Sequence, residues 1–216
     1  MLRRTLLAGG ILSSILYAAM VVLIGSWSDG YSWMSQTISE LSAIDAPTRR
    51  PWVIAGALYT VLITAFGWGV RLSAGSANLR RAGDAIVAYG SLGLLWPLAP
   101  MHQREVLAAG GGTASDTMHL VLASMTVSLM FVAMLFATRA FNGRFRWFSM
   151  ASLLILCVFG ALTFLDAPGV SKNLPTPWLG LWERINIGVF LLWVAALAIA
   201  LWKMPATIPA TTVVEL

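Results

Sequence analysis

The sequence predicts an all-α, polytopic membrane protein: a six-transmembrane-helix bundle with both termini cytoplasmic and a short amphipathic helix in the first outer loop. Three observations carry that expectation: an apolar composition, six long uncharged runs and a lopsided placement of basic residues. Of the 216 residues, 58% are hydrophobic and 11% charged, with a mean hydropathy of +0.79. Soluble domains are roughly 45–50% apolar and ~25% charged. The balance excludes a water-soluble enzyme and a disordered chain, and the one cysteine, Cys157, excludes a disulfide scaffold.

A membrane-crossing helix needs about 20 consecutive, mostly apolar residues. Six runs meet this: 6–26, 51–70, 85–101, 117–138, 147–165 and 185–202. None contains Asp, Glu, Lys or Arg, and His119 is the one histidine within them. The runs fill more than half of the chain and leave short connections, so residues 1–216 read as a single integral membrane domain.

The first run follows Arg3 and Arg4 as a signal peptide would, but it is too long for the 7–15-residue apolar core of one and is read as a retained span. Gly10, Ser14 and Ala18 recur every fourth residue along it, a small-residue stripe that lets another helix come close. In the connection that follows, Tyr31, Met34, Ile38 and Leu41 share one helical face and Ser35, Ser39 and Ser42 the other, which predicts the amphipathic helix lying in the interface. Two prolines, Pro97 and Pro100, end or kink the third run and deliver His102 to the interface. Asp116 and His119 open the fourth run three residues apart, on one helical face. Asp166-Ala167-Pro168-Gly169 turns the chain after the fifth run, and Glu183-Arg184 leads into the sixth.

Basic residues orient the bundle, because cytoplasmic connections are enriched in Lys and Arg. One side holds nine (Arg3, Arg4, Arg71, Arg80, Arg81, Arg139, Arg144, Arg146 and Lys203) and the other five (Arg49, Arg50, Arg104, Lys172 and Arg184). The richer side is taken as cytoplasm, so the net charge of +5 is an orientation signal and not a footprint for nucleic acid. Tryptophan, which prefers membrane interfaces, agrees: eight of the ten fall at run ends, leaving Trp33 in a loop and Trp193 in mid-span. The acids then sort themselves. Asp29, Glu40, Asp45, Glu105, Asp116, Asp166 and Glu183 lie on the outer side with both histidines, and Asp84 and Glu215 lie inside.

Proton, metal or nucleophile chemistry therefore belongs to the outer face. Ser35 and Glu40 can serve there as nucleophile and base, or Thr37-x-x-Glu40 can be a capping box with the serines facing water. His102, Asp116 and His119 form a conceivable set for a divalent metal whose bound water attacks a lipid ester or amide. Equally, His119 can simply be held by a hydrogen bond to Asp116 or to water. An inward Arg184 calls for an acid, with Asp166, Asp116 or Glu40 as its partner. No glycine-rich phosphate loop, Cys-x-x-Cys or His-Glu-x-x-His is present.

The segment Ser35-Gln36-Thr37-Ile38-Ser39-Glu40-Leu41, the pair Pro100 and His102, His119 opening a span, and Glu183-Arg184 opening the last one together resemble the domain of unknown function 998 family of bacterial and archaeal multi-pass proteins. The resemblance covers nearly the whole chain. It implies the six-span architecture in a bacterial inner (plasma) membrane and an outer polar cluster, and it supplies no reaction. The reading that gathers these observations is an outer-face polar pocket for a lipid-like or amphipathic ligand, lined by Ser35, Thr37, Glu40, His102, Asp116, His119, Asp166, Glu183 and Arg184. A metal-dependent lipid hydrolase, a small transporter and a scaffold subunit are the alternatives.

Overall fold

The computed structural model describes residues 1–204; Glu215, expected on the inner side, lies outside them. The described residues are helical, without strands. Five helices are long and apolar enough to cross a membrane: α1 (Leu2–Ser26), α2 (Arg49–Leu72), α5 (Ala114–Ala140), α6 (Gly143–Asp166) and α8 (Leu179–Lys203). They match five of the six uncharged runs, each extended by a few residues at its ends.

The third run differs. The α-helix there, α3, spans Ala77–Leu92, and a 3₁₀ segment, Gly93–Leu98, continues it through Pro97. It starts eight residues before the expected boundary because the charges read as a connection are accommodated on the helix. Ser76 caps its first turn by accepting from the Leu79 N–H at 3.2 Å. Asp84 is paired with Arg71 of α2, and the Arg81 guanidinium lies 5.5 Å from the Phe136 ring. Arginine stems cover apolar surface while their heads reach out of it, so such residues fit inside a helix end.

The long helices close into a ring: α1 packs on α2, α2 on α3, α3 on α5, α5 on α6, α6 on α8, and α8 back on α1. A single apolar cluster runs through all six, from Leu7 and Ile24 through Phe66, Ile86, Met134 and Leu156 to Trp193 and Leu201. Lipid offers helices no hydrophobic drive to associate, so close backbone approach and interhelical hydrogen bonds must hold the ring. Both are visible. A Cβ at Gly9 would lie 2.7 Å from the Leu62 carbonyl oxygen, and one at Gly67 2.7 Å from the Val87 nitrogen. The stripe on α1 seats Gly10 against the Phe66 ring, and Ser14 donates to the Leu191 carbonyl at 2.9 Å. Asn186 donates to the Leu156 carbonyl at 2.7 Å, the Tyr59 and Tyr89 hydroxyls meet at 2.8 Å, and mid-span Trp193 donates its indole N–H to Ser149 at 3.0 Å.

The connections at one end are short. Those at the other end, residues 27–48, 99–113 and 167–178, fold over the bundle with two short helices, α4 (Arg104–Ala108) and α7 (Pro168–Ser171), packed against each other. Ala43, Met101, Val170 and Leu179, one from each segment that meets there, form a small apolar cluster apart from the main core.

Candidate functional site at the capped end

The expected amphipathic helix does not form. Residues 27–48 fold as successive turns with one 3₁₀ turn, Ser39–Ser42, and Ile38 and Leu41 are buried at 3% and 1% exposure instead of lying in an interface. The reason is where the backbone groups go. The Ile38 N–H donates to Glu183 at 2.6 Å, the Met34 carbonyl accepts from the Leu181 N–H at 3.1 Å, and the Ser35 and Gln36 carbonyls accept from arginines. Gln36 and Ser32 side chains hold nearby N–H groups in the local competition that disfavours helix. These tertiary partners outweigh a pattern that fits a helix in isolation.

Glu40 is the centre of the cap. Arg104 grips it with Nε to Oε1 at 2.6 Å and Nη2 to Oε2 at 2.9 Å, and the Thr37 N–H and hydroxyl donate to Oε2 at 2.6 and 2.9 Å. The Glu40 N–H in turn donates to the Thr37 hydroxyl at 3.3 Å, the reciprocal geometry of a capping box. With its lone pairs committed in this way, Glu40 is a structural anchor. Ser35 joins through its carbonyl, which accepts from Arg104 Nη2 at 3.0 Å and from the Thr176 hydroxyl at 2.9 Å; its own hydroxyl has no hydrogen bond among the described residues. Arg104 Nη1 donates to Thr176 Oγ1 at 2.8 Å, so one guanidinium touches all three connections. The pair is largely buried, with side-chain exposures of 11% and 7%.

A second group sits where α5 begins. Asp116 accepts from the His102 N–H at 2.7 Å and pairs with His102 Nδ1 at 2.9 Å, while closing a capping box with Thr113. Facing a carboxylate, Nδ1 is the ring nitrogen that carries the proton. Ser115 donates to the Pro100 carbonyl at 2.7 Å and His119 Nδ1 to the Ala99 carbonyl at 2.9 Å, with the Trp96 ring edge-on to the buried imidazole. The first two turns of α5 thus clamp residues 99–102 into one conformation. His102 and His119 serve different partners, and among the described residues no three His, Cys, Asp or Glu side chains form a metal-holding group.

Arg184 corrects a further expectation. It meets neither Asp166, Asp116 nor Glu40; its Nη1 donates to the Gln36 and Gly180 carbonyls at 2.9 and 2.8 Å and its Nη2 to the Tyr31 hydroxyl. The guanidinium lies 5.4 and 5.2 Å from the Tyr31 and Trp33 rings. Carbonyl oxygens and aromatic faces can desolvate a guanidinium without an acid. This also accounts for Trp33, the loop tryptophan. Burial pushes the Tyr31 phenol above its ordinary value, against the opposing pull of Arg184. Asp166, at the end of α6, has no side-chain hydrogen bond or ion pair among the described residues and stands apart from the cap.

Sequence reasoning missed Arg104, Thr176 and Tyr31. For Arg104 a signal existed: it is the one cation in residues 102–116, facing acid-bearing loops. For Thr176, flanked by Pro175 and Pro177, none did.

Beside the cap, a groove of about 510 Å³ lies between the 45–47 turn and the start of α2, lined by Asp45, Pro47, Arg49, Arg50, Val53 and Ile54. A second groove of about 340 Å³, between α5 and α6, is lined by apolar and small residues such as Phe131, Leu156, Gly160 and Ala161.

A ring of apolar helices closed at one end by a hydrogen-bonded polar cap defines a multi-pass helical membrane protein. The family model described as Protein of unknown function (DUF998) matches residues 11–200, and the chain belongs to that family. No curated protein and no solved structure matches it.

Proposed function

We propose that the protein is a six-span protein of the bacterial inner membrane with both termini cytoplasmic, whose outer face holds an amphipathic, lipid-like ligand beside a rigid polar cap. The observation that carries this is the groove at Asp45–Ile54, where charged side chains stand over apolar ones: Arg50 is exposed, and Ile54 beneath it is 64% exposed. A charged head above an apolar body is the shape of a membrane amphiphile. The polar residues first expected to line a pocket have a different part in this reading. Apart from Asp166 and the Ser35 hydroxyl, they are hydrogen-bonded to loop backbone or to one another, and they hold the loop that forms the groove wall. Thr48 donates to the Leu41 carbonyl at 2.7 Å and Arg49 to the Ser42 carbonyl at 2.8 Å, fixing the 45–47 turn to the cap.

The six-span count is supported by α3 and its 3₁₀ continuation, which together rise about 36 Å, enough for a hydrocarbon core of about 30 Å. The test is native mass spectrometry of protein extracted with its own membrane lipids. A retained amphiphile is expected on the wild type and its loss on Arg50→Gln; bare wild-type protein would end the reading.

A further inference from the structure

The groove carries two opposite charges that do not meet. Asp45 and Arg50 both line it and both are exposed. The ion pairs among the described residues are Arg71–Asp84, His102–Asp116 and Arg104–Glu40, so the Asp45 carboxylate is more than 4.0 Å from either neighbouring guanidinium. Neither the Asp45 nor the Arg50 side chain has a hydrogen bond among the described residues. Asp45 is held in place all the same: its backbone takes a positive φ of 63°, a left-handed conformation, and the flanking Ile44 N–H is fixed to the Met101 carbonyl at 2.8 Å. Arg49, on the same wall, has its guanidinium committed to the Ser42 and Pro97 carbonyls. One acid and one free guanidinium therefore face a common space above Val53 and Ile54.

We infer that the ligand of this groove is an aminophospholipid: its phosphodiester sits on Arg50, its primary ammonium on Asp45, and an acyl chain runs down Val53 and Ile54. The inference rests on the reading of the groove as an amphiphile site and adds the headgroup. An anionic lipid without an amine leaves Asp45 facing like charge. A choline lipid brings a cation with no N–H to donate, while a carboxylate is an acceptor only. A primary ammonium beside a phosphate satisfies both side chains, and each such exposed charge pair is worth about two- to fivefold in affinity.

The experiment offers the purified full-length protein an equimolar mixture of phosphatidylethanolamine, phosphatidylglycerol and phosphatidylcholine with identical chains and reads adducts by native mass spectrometry. The wild type should favour the ethanolamine lipid by about two- to fivefold over the choline lipid. Asp45→Asn, which keeps a residue tolerant of the left-handed backbone, should erase that preference, lowering ethanolamine-lipid binding more than choline-lipid binding. Arg50→Gln should weaken all three. A preference for the glycerol lipid that Asp45→Asn does not alter, with loss in Arg50→Gln, overturns the aminophospholipid and leaves the amphiphile site standing. Adducts indifferent to both substitutions overturn the site itself. Displacement of the lipid by soluble phosphoethanolamine would show a headgroup site without a lipid requirement and overturn the acyl-chain assignment. Both substituted side chains are exposed, and unchanged thermal unfolding midpoints confirm that folding is not what is measured.

Discussion

Arg104 and Glu40 are 64 residues apart and form a buried, two-pronged ion pair whose remaining valences go to Thr37, Thr176 and the Ser35 carbonyl. Removing one partner of such a pair strands the other, at a cost of about 3–5 kcal/mol. Arg104→Ala and Glu40→Ala are each expected to destabilise the protein by that order, read as a lowered unfolding midpoint in detergent. Arg104→Lys should recover little, because a single ammonium cannot span both carboxylate oxygens and Thr176. Tyr31 yields a pH dependence. Its phenol is raised by burial, so the folded state holds the proton more tightly than the unfolded one. Its contribution is full below the ordinary tyrosine value of about 10 and is lost as pH rises beyond it. The unfolding midpoint of the wild type should fall above that pH, and Tyr31→Phe should fall less steeply. Equal slopes would remove Tyr31 as the titrating group.

Among the elements, α8 is the one against which the cap is built. A Cβ at Gly180 would lie 2.7 Å from the Trp33 carbonyl oxygen and crowd Gln36 and Arg184 as well, so only glycine permits this contact between helix and loop. Gly180→Ala is expected to cost about 1–3 kcal/mol, as overpacking does, and to expose residues 27–48 to limited proteolysis while the helices stay intact. The long helices were legible in the sequence because uncharged runs of about 20 residues mean little else. The start of α3 was not, since Arg80, Arg81 and Asp84 look like a connection until Arg71 and Phe136 are seen beside them. The 27–48 segment misled for a related reason. Its apolar period matched a helix, yet Glu183 and Arg184, some 145 residues away, claim its backbone groups. Periodicity reports a residue's own neighbours and is blind to partners brought by other elements. The choice of Arg104 over Arg184 as partner of Glu40 depends on the same hidden register of loops, and so does the pairing of Asp116 with His102, where the helical spacing pointed to His119.

For the molecule as a whole, the histidines, the long connections and every acid of the described residues but Asp84 share one end, and the short, arginine-rich connections the other. The proposed orientation gives a direct check. On a background of Cys157→Ala, cysteines placed at Asp29 or Lys172 should react with a membrane-impermeant maleimide added to intact cells, and one placed at Arg144 only after permeabilisation. The opposite pattern would invert the topology, and labelling of Asp29 and Lys172 from different sides would break the six-span count.

The three-way grip of Arg104 also has a meaning in time. Glu40 and Arg104 are made well before Thr176, Glu183 and Arg184, which complete the cap. Until α8 has been made, the first connection has no carboxylate for its Ile38 N–H and no guanidinium for its Gln36 carbonyl. The cap therefore closes only after residues 176–184 have been made. A chain stopped before residue 176 would present the first two connections half-bonded to quality-control proteases, while a finished one presents a sealed surface.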